Sequence, residues 1–302
     1  MKNQGVILIL FTALISGTSI FINKFGVSNI DSTIFTFLKN IIVAFFLLAI
    51  ILGFKEFKNL KELNKQQWLW LIFIGFIGGS VPFVLFFKGL QISNGPIGSF
   101  IHKSMFILVA LLATIFLKEQ ISKKLVIPAF LLLAGNFLLL KMNSFELNIG
   151  ALLILIATVF WAVENVISKH VLKTIEPKVL AFGRLFFGGI FIMIYILLTS
   201  RFNMILTLTF QQISWILISV PFLLLYVITW YTGLKYVKVT TATSILLLGS
   251  PITLLLSSIF LNISVTLMQA IGILFTLIGI LSIILFIEKK TYSEPTISTA
   301  YP

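Results

Sequence analysis

Cysteine is absent from the 302-residue chain, which excludes disulfides, thiolate metal sites and a cysteine nucleophile and leaves the redox compartment open. Charge is nearly as scarce: charged residues make up 10% of the chain, nine are acidic, and there are two histidines. None of the spacings DxxD, HxxxH, HExxH or GxSxG occurs, so the sequence has no pattern for a metal centre or a hydrolytic nucleophile. No metal, no cofactor and no enzymatic activity are expected. A soluble domain that would hold a nucleotide is missing as well, which excludes ATP-driven transport within this chain.

What the chain has instead is apolar length. It is 59% hydrophobic with a mean hydropathy of +1.13, more than a water-soluble core can hide. Since about 20 apolar residues cross roughly 30 Å of hydrocarbon, spans are predicted near 5–25, 32–53, 67–90, 95–117, 123–141, 148–170, 177–199, 212–234, 239–261 and 266–287. The fold class is all-α integral membrane, with ten helices. A net charge of +13 would point to nucleic acid in a soluble protein, but here the basic residues fall between spans. With the N-terminus in the cytoplasm, fifteen lysines lie on inner segments and four basic residues, Lys24, Lys88, Lys141 and Arg201, on the outer side. The positive-inside rule then places both termini in the cytoplasm. The partners expected are the lipid bilayer and a small molecule, with no nucleic acid. Lysine outnumbers arginine 20 to 2, which points to an AT-rich prokaryotic genome and hence a cell (inner) membrane.

Shifted by 145 residues, the sequence lies on itself: Ile22-Asn23-Lys24 falls on Ile167-Ser168-Lys169, Asp31 on Glu176 and Lys39 on Arg184. At an offset of 144, Gly89-Leu90 falls on Gly233-Leu234 and Ile115-Phe116-Leu117 on Ile259-Phe260-Leu261. Five helices per unit is an odd number, so the second unit enters the membrane upside down: a 5+5 inverted-topology repeat. The domains expected are 1–141 and 142–290, followed by a disordered tail at 291–302. The first apolar stretch after Lys2 resembles a signal peptide, but its repeat partner at 150–170 makes it helix 1.

Ionisable side chains deep in a span cost about 2.5–3.5 kcal/mol each and face the bundle interior or a wet cavity. Lys39, His102 and Lys103 lie in the outer half with no acid to neutralise them, which suits the carboxylate or phosphate of a substrate. The alternatives are that Lys39 snorkels outward and that His102 is a hydrogen-bonded core residue. Glu164 and Arg184 share a depth in the inner half on neighbouring helices. They form either a fixed ion pair or a gating and coupling pair in which Glu164 carries a proton as the coupling ion. Glu119 and Asp31 sit at helix ends and are expected to be solvated. Gly79, Pro82, Gly249 and Pro251 are expected hinges, since proline removes a backbone donor and Gly75/Gly79 form a GxxxG surface. Trp161, Trp230 and Tyr231 lie deep enough to stack on a substrate, although packing alone also explains them.

These residues resemble the EamA-type transporters of the drug/metabolite transporter superfamily. Phe86-Phe87-Lys88-Gly89-Leu90 and Trp230-Tyr231-Thr232-Gly233-Leu234 look like the aromatic pair, small residue and leucine that close the third helix of each repeat. Thr243 through Pro251 resembles the fourth-helix motif ending in proline. Leu117-Lys118-Glu119-Gln120-Ile121-Ser122 resembles the loop leading into a glycine-bearing fifth helix at Gly135. Lys39 and Arg184 take the place of the family's second-helix basic residue, and Trp161 that of its first-helix tryptophan. The chain departs from the pattern at Ser16, Ile107 and Ile263, where tryptophan, proline and a second glutamate are expected. The resemblance implies alternating access around a central cavity bounded by helices 1, 3, 4, 6, 8 and 9, with helices 5 and 10 peripheral. The function expected is secondary transport of a small polar metabolite, an amino acid or related organic anion, across the cell membrane. A membrane-embedded enzyme or a flippase for a lipid-linked substrate is the alternative; direction and oligomeric state stay open.

Overall fold

The computed structural model describes residues 2–27, 30–92, 95–120, 122–140 and 148–293. Thirteen helices carry the architecture: α1 (Lys2–Val27), α2 (Ser32–Gly53), α3 (Lys65–Gly79), α4 (Val81–Ile92), α5 (Gly95–Lys103), α6 (Met105–Phe116), α7 (Val126–Leu139), α8 (Ile149–Val171), α9 (Pro177–Leu198), α10 (Phe210–Tyr236), α11 (Val239–Leu246), α12 (Gly249–Leu261) and α13 (Leu267–Ser293). Among the described residues, nine segments are long and apolar enough to span a membrane. Large apolar side chains such as Phe45, Phe130, Leu198 and Ile259 point outward, as a lipid-facing surface requires. The core is a single cluster of Val, Ile, Leu and aromatic side chains through both halves, with a smaller one around Ile34, Phe35 and Ile192.

Helix packing is nearly symmetric under exchange of the halves. α1 lies against α10 as α8 lies against α4, α9 against α3 as α2 against α10, and α12 against α1 as α6 against α8, while α2–α9 and α7–α13 pair with their own counterparts. That pairing is what a pseudo-two-fold axis relating two inverted repeats produces.

Four sequence expectations need correction. The spans 67–90, 95–117 and 239–261 are each broken, at Ser80, Ser104 and Leu247–Leu248 respectively. Ser80 departs from helical geometry (φ −135°, ψ −75°) two residues before Pro82, whose ring nitrogen has no hydrogen to donate to the carbonyl four residues back. Hydropathy windows are blind to such breaks. The fifth span is shorter than 123–141: a 3₁₀ turn at Lys123–Leu125 leads into the 14 residues of α7. Helix α13 runs on to Ser293, past the expected tail start at 291; positions 294–302, Lys141, Ile121 and the expected boundary at 141/142 lie outside the described residues. Finally, neither Asp31 nor Glu119 is simply solvated. Asp31 caps α2 through the amides of Thr33 and Ile34 (2.9 and 3.2 Å) and pairs with Arg201 at 3.0 Å. Glu119 is buried and hydrogen-bonded to another helix.

Candidate functional site: a buried carboxylate beside an aromatic cluster

A missing hydrogen begins the site. In a continuous helix the Gly78 carbonyl would accept from residue 82, but Pro82 has no N–H. That oxygen instead receives Trp161 Nε1 at 3.1 Å and Arg184 Nη2 at 3.2 Å. The next carbonyl, of Gly79, receives Nδ2 of the buried Asn40 at 3.3 Å. The carbonyl end of α3 is the negative pole of its dipole, so a guanidinium there is favourable.

Glycine makes the approach possible. A Cβ on Gly78 would stand 2.3 Å from Glu164 Cγ, and one on Gly79 would stand 2.4 Å from the Arg184 carbonyl oxygen and 2.9 Å from Gly188 Cα. The backbones of α3 and α9 therefore touch where the sequence carries Gly78-Gly79 and Gly188. Gly79 and Gly188 supply close packing here, and the break itself is at Ser80.

On α8, Trp161, Glu164 and Ser168 follow one another at i, i+3 and i+7, one face of the helix. Glu164 is 1% exposed; its Oε1 accepts from Ser168 Oγ at 2.7 Å and from Tyr231 OH on α10 at 2.8 Å, and its Oε2 lies 3.8 Å from Arg184 Nη2. The expected Glu164–Arg184 pair is thus present. Tyr231 binds the carboxylate rather than lining an open surface. Trp230, 2% exposed, stacks on Tyr226 at 6.2 Å. Both side chains are packed in the core.

The other face of Trp161 meets a ring cluster. His102 lies edge-on to it at 4.8 Å, Phe83 at 5.1 Å and Phe86 at 5.4 Å, with His102 and Phe86 5.2 Å apart. His102 Nδ1 and Arg184 Nε are buried without a protein hydrogen-bond partner among the described residues, so two polar nitrogens near Trp161 are left available. Lys103, next to His102, is half-buried and forms no ion pair among the described residues.

Lys39 is placed differently from its expected companions. It is half-buried with Nζ 4.8 Å from the Phe35 ring, on α2, which packs mainly on α9 and α10, whereas α5 packs on α8. Gly249 and Pro251 stand in the first turn of α12, where Gly249 faces the Gly17 backbone and Thr253 Oγ1 donates to the Gly17 carbonyl at 2.8 Å. Sequence reasoning counted Gly78 only as part of a small-residue surface and passed over its carbonyl as an acceptor, together with Ser168 and Asn40. The signals were there for two of them: Ser168 is four residues after Glu164, and Gly78 four before Pro82.

Comparison with known proteins agrees with the two-repeat architecture. The model of the EamA-like transporter family matches residues 3–141 and again 148–285. Protein PecM of Dickeya dadantii is 27% identical over 237 residues, covering 76% of this chain and 80% of that protein. The riboflavin transporter ImpX of Fusobacterium nucleatum is 23% identical over 210 residues, covering 65% and 70%. A solved structure titled only as the crystal structure of a protein superposes with a TM-score of 0.76 at 17% identity, covering 94% of this chain and 97% of that one, and shares the fold. With the family pattern matched in both halves and its helices long enough to cross a bilayer, the chain belongs to the EamA-like transporter family and is a multi-pass membrane protein.

Proposed function

We propose that this chain is a secondary transporter working by alternating access, and that its cargo is a small polar metabolite with an anionic group, an amino acid or related organic acid, crossing the cell membrane between cytoplasmic termini and the outside. The observation that supports this most is, among the described residues, the group beside Trp161: His102 with Nδ1 and Arg184 with Nε unpartnered, and the half-buried Lys103, next to His102 in sequence, without an ion pair. Buried polar groups without partners are costly, and a bound anion would satisfy them. In this reading Trp161 forms one wall, His102 and Lys103 hold the anionic group, and Lys39 contributes positive potential from α2. Glu164 with Arg184 forms the coupling or gating pair. Because Ser168 and Tyr231 already donate to Glu164, a proton arriving there would displace one of those donors or weaken the pull on Arg184, and so link protonation to helix position.

The ring cluster of Phe83, Phe86, His102 and Trp161 favours, second, a cargo that also carries a flat ring; the Fusobacterium relative is named a riboflavin transporter. A thermal-shift screen of purified protein against amino acids, organic acids, sugar phosphates and flavins separates these. A ligand at 100 times its Kd adds about 2.7 kcal/mol of stability. Stabilisation by an anionic compound that is lost in Lys103→Gln supports the reading. Stabilisation by neutral solutes alone, unchanged in Lys103→Gln, contradicts it.

A further inference from the structure

The two halves end their fourth-helix segments in the same way and then diverge. Helix α6 stops with Lys118 in the left-handed region (φ 54°), and α12 stops 144 residues later with Asn262 at φ 52°. The next residue is Glu119 in the first half and Ile263 in the second. The left-handed turn aims Glu119 across the repeat boundary at the start of α11. Its Oε1 accepts from the Val239 amide at 2.9 Å, and its Oε2 accepts from Thr240 Oγ1 at 2.8 Å and the Thr240 amide at 3.4 Å. Lys238 Nζ donates back to the Gln120 carbonyl at 3.0 Å. Beside it, Lys169 Nζ donates to the carbonyls of Leu234 and Lys235 at 2.7 and 3.1 Å, closing the end of α10 onto α8. A carboxylate on a helix N-terminus and an ammonium on a helix C-terminus are both favourable placements. An isoleucine at 263 has no atom with which to repeat the first.

Packing at the two ends follows the same difference. At the Glu119 end, α6 packs on α11, whereas the symmetry-equivalent pair α5 and α12 is not packed together in this way among the described residues. Trp230, Tyr231 and Leu234 are buried, at 2%, 0% and 0% exposure, but their equivalents Phe86, Phe87 and Leu90 are half-buried.

We infer that Glu119 is the latch of one of the two gates: its grip on the N-terminus of α11 holds the pathway shut at the Glu119 end, and the lack of a counterpart at Ile263 leaves the other end open at rest. The carrier is biased by one side chain toward the conformation that faces away from Glu119. The inference concerns the resting equilibrium, holds for any cargo, and does not depend on which face of the membrane is cytoplasmic.

The cysteine-free chain makes the test direct. Leu90→Cys and Leu234→Cys place one thiol at equivalent positions near the two ends, and a membrane-impermeant maleimide reports the accessibility of each in purified, monodisperse protein. In the parent background the thiol at position 90 is expected to react and the one at 234 to be protected. Adding Glu119→Gln, which keeps the volume but removes the charge and replaces one of the two acceptor oxygens with an NH2 donor, is expected to raise labelling at 234 about tenfold and to lower it at 90, the shift that about 1.4 kcal/mol of differential stabilisation gives. Thr240→Ala, a milder removal of one contact, moves both reporters the same way by less, and Ile263→Glu moves them oppositely. If labelling at 90 and 234 stays within about twofold of the parent in Glu119→Gln and Thr240→Ala, or if both reporters move together, the latch assignment is overturned.

Discussion

Arg184→Met lowers the stability of the folded protein by about 3–5 kcal/mol, the usual cost of leaving one member of a buried ion pair alone. The partner left behind is Glu164, 1% exposed and shared among Arg184, Ser168 and Tyr231. Without the guanidinium the carboxylate keeps two neutral donors but loses the charge that makes its burial tolerable, and the Gly78 carbonyl keeps only Trp161. Replacing both residues, Glu164→Gln with Arg184→Met, removes the stranded charge and is expected to recover most of the loss, because a neutral core of similar volume is often about as stable as a buried pair. Arg201→Met is the control. Its pair with Asp31 has a side chain 40% exposed, and screened pairs of that kind contribute about 0–1 kcal/mol. Thermal unfolding in one detergent, read for all four proteins, checks the order. Equal losses for Arg184→Met and the double variant mean that the stranded carboxylate is not the source of the cost.

The second large effect is steric. Gly79→Ala puts a carbon 2.4 Å from the Arg184 carbonyl oxygen and 2.9 Å from Gly188 Cα. Both are backbone atoms, which cannot rotate away, so α3 and α9 must separate. Overpacking of this sort costs about 1–3 kcal/mol, and the displacement acts on the residue that carries the guanidinium. Transport should therefore fall along with stability. Gly53→Ala, where nothing lies within 4 Å, is expected to be neutral or to add up to about 1 kcal/mol through helix propensity. A Gly79→Ala protein that unfolds at the same temperature as Gly53→Ala contradicts the backbone-contact account.

The features that were readable from sequence are those set by local chemistry or by one-dimensional pattern. The repeat appears as an offset of 145 residues that slips to 144, and the spans appear as apolar runs. Glu164 stands out as the only acid well inside a predicted span, with Arg184 at the same depth on the next helix. Glu119 shows where such reading stops. As a polar residue just past a helix end it looks solvated, and only the left-handed turn at Lys118 together with packing 120 residues away gives it the α11 amides to bind. Tyr231 is similar: the sequence marks an aromatic pair, but the hydroxyl's partner on α8 belongs to the tertiary structure. Lys39 shows the same limit for a cation. Depth in the membrane grouped it with His102 and Lys103, while rotation about α2 places its ammonium over Phe35. Depth follows from counting residues along a helix, but the direction a side chain faces is set by which helices pack against it.

Uptake into proteoliposomes tests the central reading, that the cluster of Glu164, Arg184, Trp161 and His102 serves transport of a polar solute. The solute is the strongest stabiliser from the thermal-shift screen, offered in labelled form to vesicles containing wild-type protein or Glu164→Gln that elutes as a monodisperse species. The reading predicts saturable uptake by the wild-type protein and at least tenfold slower uptake by Glu164→Gln, the effect of about 1.4 kcal/mol on the translocation barrier. Equal rates from the two proteins would remove the buried carboxylate from the transport mechanism and leave it as a packing element of the bundle.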